Sequence, residues 1–157
     1  MSVKPIPAGF HALTPHLIVT DGAAAIEFYK AAFGAVELNR SPMPNGKLMH
    51  TALHIGDSAM FLADEFPARC NAPIQGRRSP VTLHLYVEDA DEVFNRAIVA
   101  GAEVSMPMMD AFWGDRYGQV TDPFGHSWSI ATRKEIVSAE EADRRAKAMS
   151  GAKSLIG

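Results

Sequence analysis

Thr14-Pro-His-Leu-Ile-Val-Thr-Asp21 and Thr82-Leu-His-Leu-Tyr-Val-Glu-Asp89 lie 68 residues apart and agree at five of eight positions: Thr, His, Leu, Val and Asp. Ordinary residue frequencies give about one chance match or fewer over such a stretch. The same offset carries Leu62-Ala63 onto Ile130-Ala131. In each half an acid-capped helical stretch ends at a glycine, Gly34 and Gly101. Internal self-similarity decides architecture before any local pattern does. The chain is a duplication.

Each half reads in the same order. Residues 12–20 alternate, with Leu13, Leu17 and Val19 on one face and Thr14, His16 and Ile18 on the other, the pattern of a half-buried strand. Asp21 caps a helix through about Phe33, and Gly34 supplies its left-handed stop. Strands are expected at 35–41 and 47–55, joined by a hairpin at Asn45-Gly46, and at 58–64. The second half predicts a strand over 81–87 and a helix from Asp89 with Glu92 as capping-box partner. Strands follow near 103–109, 116–121 and 127–132. The expected fold is α+β, two βαβββ modules spanning about 12–64 and 81–133 within one domain over residues 1–157. A Pro/Gly-rich loop over 65–80, long enough to be a lid or an inter-chain crossover, joins them. Ser138-Ala-Glu-Glu141 opens an appended C-terminal helix to about Met149.

Composition narrows the function. The 157 residues carry 15 Lys+Arg against 18 Asp+Glu, a formal charge of −3, so no electrostatic footprint for nucleic acid or an anionic membrane shows. The tail cations Arg144, Arg145, Lys147 and Lys153 mix with acids and read as a solvated face. One cysteine, Cys70, makes neither an internal disulfide nor a zinc cluster, and reads as a free thiol. The first ten residues lack the apolar run of a secretory signal, and no stretch is long enough for a membrane span. A cytoplasmic location is the expectation.

A four-stranded sheet covered by one helix has a second face to dispose of. Leucines and valines put the helix against Leu13, Leu17, Val19, Leu83, Leu85 and Val87; Thr14, His16, Ile18, Thr82, His84 and Tyr86 occupy the opposite faces. Two such sheets brought together curve around a cleft of mixed polarity, the usual character of a small-molecule pocket.

Asp21-Gly22, Ile26-Glu-Phe-Tyr-Lys-Ala-Ala-Phe-Gly34, Pro42-Met-Pro-Asn-Gly-Lys47, Ile55-Gly-Asp-Ser58, His84-Leu-Tyr-Val-Glu-Asp89, Gly114-Asp-Arg116 and Asp122-Pro-Phe-Gly-His-Ser-Trp128 follow one another in the chain. Together they resemble the vicinal oxygen chelate superfamily: glyoxalase I, bleomycin-resistance proteins, extradiol dioxygenases and fosfomycin-resistance enzymes. The closer likeness is to its PhnB-like branch. The resemblance implies a homodimer and a small-molecule ligand between modules. Metal-using members place ligands on each module's first and last strands. The corresponding residues are Thr14, Phe61, Thr82 and Ser129, which cannot build a divalent site of imidazole and carboxylate. No cofactor is therefore expected.

Two groups carry the remaining site hypotheses. His16 and His84, two residues further along the same faces, are a displaced metal pair, an acid/base or ligand-contacting pair, or imidazoles satisfied by neighbouring hydroxyls. His50 and His54 share a parity and offer further nitrogens, with Ala52 between them where relatives of the branch are expected to carry an acid. Trp113 and Arg116 either stack and clamp a planar anionic ligand or form a local turn. Trp128 reads as core. The expected ligand contacts are His16, His84, Tyr86, Trp113 and Arg116. The expected function is small-molecule binding without the standard metal site, against a metal-dependent lyase or isomerase using relocated His16 and His84.

Overall fold

Backbone capping sets the two helices where the repeat put them. The computed structural model describes residues 2–154, with side chains as far as 151, so the Lys153 side chain lies outside it. Helix α1 (Gly22–Phe33) starts at Asp21, whose carboxylate accepts the Ala24 N–H, and stops at Gly34 in the left-handed region at φ 67°. Helix α2 (Ala90–Ala100) starts at Asp89, which accepts from Glu92 N, and stops at Gly101. A second anchor lies across each module. Asp64 accepts Gly22 N at 2.7 Å and Leu48 N at 2.6 Å, while Thr132, 68 residues on, accepts Ala90 N at 2.8 Å.

The strands are β1 (His16–Val19), β2 (Val36–Pro42), β3 (Leu48–Ile55) and β4 (Ser58–Asp64), then β5 (Thr82–Tyr86), β6 (Glu103–Asp110), β7 (Asp115–Thr121) and β8 (Ser127–Arg133). They form two four-stranded mixed sheets in the same order, β1-β4-β3-β2 and β5-β8-β7-β6. The first strand of each module runs parallel to its last. Two βαβββ modules and a C-terminal helix α3 (Ala139–Ser154), which runs one turn beyond the expected end, make the fold. Strand β1 is shorter than expected. Pro15 has no N–H to give, the sheet begins at His16, and Leu13, expected against the helix, is 87% exposed.

One core serves both modules. Leu17 and Val19 of sheet one, Val120, Trp128 and Ile130 of sheet two, and the inner faces of both helices belong to a single buried cluster. Phe33 of α1 lies 4.6 Å, centroid to centroid, from Trp128 of β8, which places Trp128 in the core as expected. Asp122 sits at this seam. It accepts from Tyr29 Oη and Trp128 Nε1 on one oxygen and from the N–H groups of Phe124 and His126 on the other. Burial and the adjacent carboxylate hold the Tyr29 hydroxyl well above its ordinary pKa. Because both helix-side faces close on this core, the other face of each sheet looks outward from it.

Candidate functional site

The outward face of sheet two gathers the chemistry. Strand register aligns His84 with Ser129 and Gln119 with Ser129, then Tyr86 with Ala131 and Tyr117 with Ala131, so these residues share one face. Four rings run across it. Tyr86 and His84 meet edge to face at 4.5 Å, His84 stacks with Tyr117 at 6.0 Å, and Tyr117 meets Trp113 at 5.1 Å. Their polar ends are tied beneath. Asp115, 4% exposed, accepts from Trp113 Nε1 at 2.8 Å and Tyr86 Oη at 3.3 Å. Gln119 Nε2 donates to the Tyr117 hydroxyl at 2.6 Å. Partial desolvation and then the Asp115 charge raise the Tyr86 hydroxyl above its ordinary pKa, with Arg133 opposing.

Ser129 Oγ lies 2.6 Å from His84 Nδ1. A serine–imidazole pair invites a nucleophilic reading, but Ser129 is 2% exposed, buried beneath the ring it would serve. Its effect is orientation. With Nδ1 engaged, Nε2 is left toward the face, as a donor or an acceptor according to tautomer. Beside the rings, an open pocket is lined by Tyr86, Trp113, Asp115 and Arg133. Tyr86 remains 63% and Trp113 37% exposed, an aromatic surface with a carboxylate and a guanidinium at its edge.

The outward face of sheet one is different. His16 pairs in register with Phe61, and Phe61 with Ala52, setting His16, Phe61, His50 and His54 on one side. The Phe61 ring stands 5.9 Å from His16 and 4.7 Å from His50, and Phe10 from the N-terminal arm folds over it at 5.6 Å. The arm also reaches His54, whose Nε2 is buried without a hydrogen-bond partner. Burial and then the neighbouring His50 hold the His16 pKa below its ordinary value. Among the described residues no hydrogen bond or ring contact joins this cluster to that of His84.

The structure therefore brings His84, Tyr86 and Trp113 together and sets His16 apart from them. It corrects the reading of Arg116. Along β7, Arg116 pairs with Thr132 and alternates with Asp115 and Tyr117, so Asp115 takes the outward side and Arg116 the helix side. There the guanidinium donates to Asp91 of α2 through Nε and Nη2, at 3.0–3.3 Å, and to Asp110 at 3.3 Å. Arg116 in turn lowers the Asp91 pKa. Sequence reasoning missed Asp115, Tyr117, Gln119, Ser129 as an orienting group, and Arg133. The alternation Asp115-x-Tyr-x-Gln119 would have found three of them once the strand was started one residue earlier.

The donor set speaks against the superfamily's metal position. Thr14, Thr82 and Ser129 offer only hydroxyls, Ser129 is engaged with His84, and Phe61 offers none. Among the described residues no three His, Cys, Asp or Glu side chains converge to hold an ion. The residues present do not fit a divalent metal at those positions.

The repeat of βαβββ modules, each with a half-polar outward face, defines a class of protein. A family model for the Glyoxalase/Bleomycin resistance protein/Dioxygenase superfamily matches residues 9–130, and the chain belongs to that superfamily. An uncharacterised protein of Mycobacterium bovis is 48% identical over 134 residues, 83% of this chain and 88% of that one. Among solved structures, TioX from Micromonospora sp. ML1 superposes with a TM-score of 0.62 at 27% identity, over 78% of this chain and 98% of that chain. A PhnB protein from Bacillus cereus shares the fold with a TM-score of 0.63 at 18% identity, covering 78% of this chain and 99% of that one.

Proposed function

We propose that this protein binds a small organic molecule on the outward face of its second sheet, without a metal at the superfamily positions. One observation carries the reading: a row of half-exposed rings whose polar atoms are fixed by buried Asp115 and Ser129. Exposed aromatic surface costs free energy unless it is covered, and rings held in place lose little entropy when a ligand covers them. Tyr86, His84, Tyr117 and Trp113 supply a flat apolar wall. Asp115 takes a ligand donor, and Arg133, not Arg116, takes an anionic substituent.

The same face argues for a second copy of the chain. Strands β1 and β5 are sheet edges, and both outward faces look away from the shared core. A homodimer that sets one chain's second sheet against the other's first closes a cleft and covers those edges.

A fluorescence titration with 1-anilinonaphthalene-8-sulfonate, a flat anionic probe, tests the site. Saturable binding is expected to weaken by about 5- to 30-fold in His84→Ala, with the thermal midpoint preserved. If that variant loses stability while affinity stands, His84 is a core residue and the proposal fails. Mass measurement in solution at micromolar concentration is expected to give twice the chain mass; a monomer refutes the shared cleft.

A further inference from the structure

The loop between the modules, residues 65–80, carries Arg69, Arg77 and Arg78 and was expected to be a lid or a crossover. It is neither loose nor extended away. Ser79 N–H donates to Gly125 O at 2.7 Å, and Ser127 Oγ donates to Ser79 O at 3.2 Å. Gly125 has φ 88°, and a Cβ built there would come within 2.7 Å of Pro73 and 3.1 Å of the Arg77 carbonyl. Glycine at this position lets the loop lie directly on the turn before β8. Within the loop, Arg77 N–H closes a turn on Ile74 O, and Glu65 accepts Ala72 N–H. The loop is thereby fixed on the turn before β8, beside the edge of β1.

Between the loop and that edge lies a cavity whose walls include Arg77, Arg78, Asn71, His16 and His126. No aspartate or glutamate lines it. The two arginines make no side-chain hydrogen bond or ion pair among the described residues. Elsewhere Arg40, Arg116, Arg144 and Arg145 are each paired with a carboxylate. The carboxylate against the turn, Asp122, is already saturated by four donors. His126 is held by its Nε2, 2.8 Å from the Ile18 carbonyl, which keeps its ring at the wall.

We infer that this cavity is a binding site for a phosphoryl-type oxyanion on a small soluble molecule, separate from the aromatic face of sheet two. Donors can reach it from the loop, at Asn71, Arg77 and Arg78, and from His16 of β1. Two adjacent guanidinium groups with an amide and an imidazole beside them suit a group with several acceptor oxygens. Arginine forks match such oxygens in pairs. A cation pair without carboxylates, mounted on a pinned loop, has no ion-pair partner to give up when it meets an anion.

Calorimetric titration of the full-length protein with inorganic pyrophosphate, at physiological ionic strength, tests the site. One saturable site per chain is expected, and Arg77→Ala/Arg78→Ala is expected to weaken it by at least about 10-fold. Arg69→Ala, in the same loop but outside the cavity, is expected to leave affinity within about twofold. Thermal midpoints measured on each variant confirm that the fold is kept. Absence of saturable binding, undiminished affinity in the double variant, or an equal loss in Arg69→Ala would each overturn the assignment.

Discussion

The two modules share a sequence repeat, a strand order and a helix anchored at both ends, yet their outward faces have diverged. On sheet one, Phe10 closes over Phe61 and His54, leaving an imidazole nitrogen buried without a partner. On sheet two, the corresponding area is open, and each ring's polar end has a partner. The helix-side faces could not diverge in that way, because both feed one core. Duplication fixed which side each residue faces, and the chemistry of the faces was free to separate. The register-equivalent pair Phe61 and Ser129 shows it most simply: a capped ring on one side, a hydroxyl holding an imidazole on the other.

The seam between the modules gives the largest expected effect. Asp122→Ala leaves the Tyr29 hydroxyl and the Trp128 indole N–H buried without an acceptor, and is expected to cost about 3–5 kcal/mol. At this chain length that is a fall of roughly 10 °C in the thermal midpoint. A change below about 2 °C would mean that the modules do not depend on this carboxylate.

The helix anchors sharpen the comparison within the fold. Asp64→Ala orphans two buried N–H groups, at Gly22 and Leu48, and is expected to cost about 2–3 kcal/mol. Thr132→Ala orphans one, at Ala90, and is expected to cost about 1 kcal/mol. Chemical denaturation of both variants checks the order. Equal losses would show that the equivalence in position carries no difference in strength.

A smaller effect separates the faces by pH. His16 has its pKa lowered in the fold, by burial first and His50 second, from an ordinary value of 6.5. The unfolded chain therefore takes up the proton first. The stability this group contributes is whole above about pH 6.5 and is lost as pH falls through the lower folded value. His16→Gln is expected to flatten that part of the stability profile slightly. An unchanged acid slope would show that His16 is as solvated in the fold as out of it.

Much of this was legible in the sequence. The offset between the two Thr-x-His-Leu-x-Val-x-Asp stretches located both helices, the βαβββ order of elements along each half and the side on which His84 and Tyr86 stand. What failed did so at strand ends, where local pattern does not say which residues join the strand's alternation and which stay outside it. Alternation with Asp115 and Tyr117 puts Arg116 behind the sheet, and starting β1 at His16 left Leu13 in solvent. Nor could local pattern reveal that Phe10 folds back over Phe61, or that Asp122 gathers donors from α1, β8 and its own turn. The contacts of Phe10 with Phe61 and of Tyr29 with Asp122 join residues far apart in the chain, and only packing brings them together.

The second sheet has one side that meets a ligand and one that meets the helices. A paired titration of Tyr86→Ala and Arg116→Ala with 1-anilinonaphthalene-8-sulfonate reads that directly. Tyr86→Ala is expected to weaken binding by about 5- to 30-fold, because it removes one end of the aromatic wall. Arg116→Ala, whose guanidinium is held by Asp91 and Asp110 on the other side, is expected to change affinity by less than about twofold. The opposite outcome, affinity lost with Arg116 and kept without Tyr86, would contradict it.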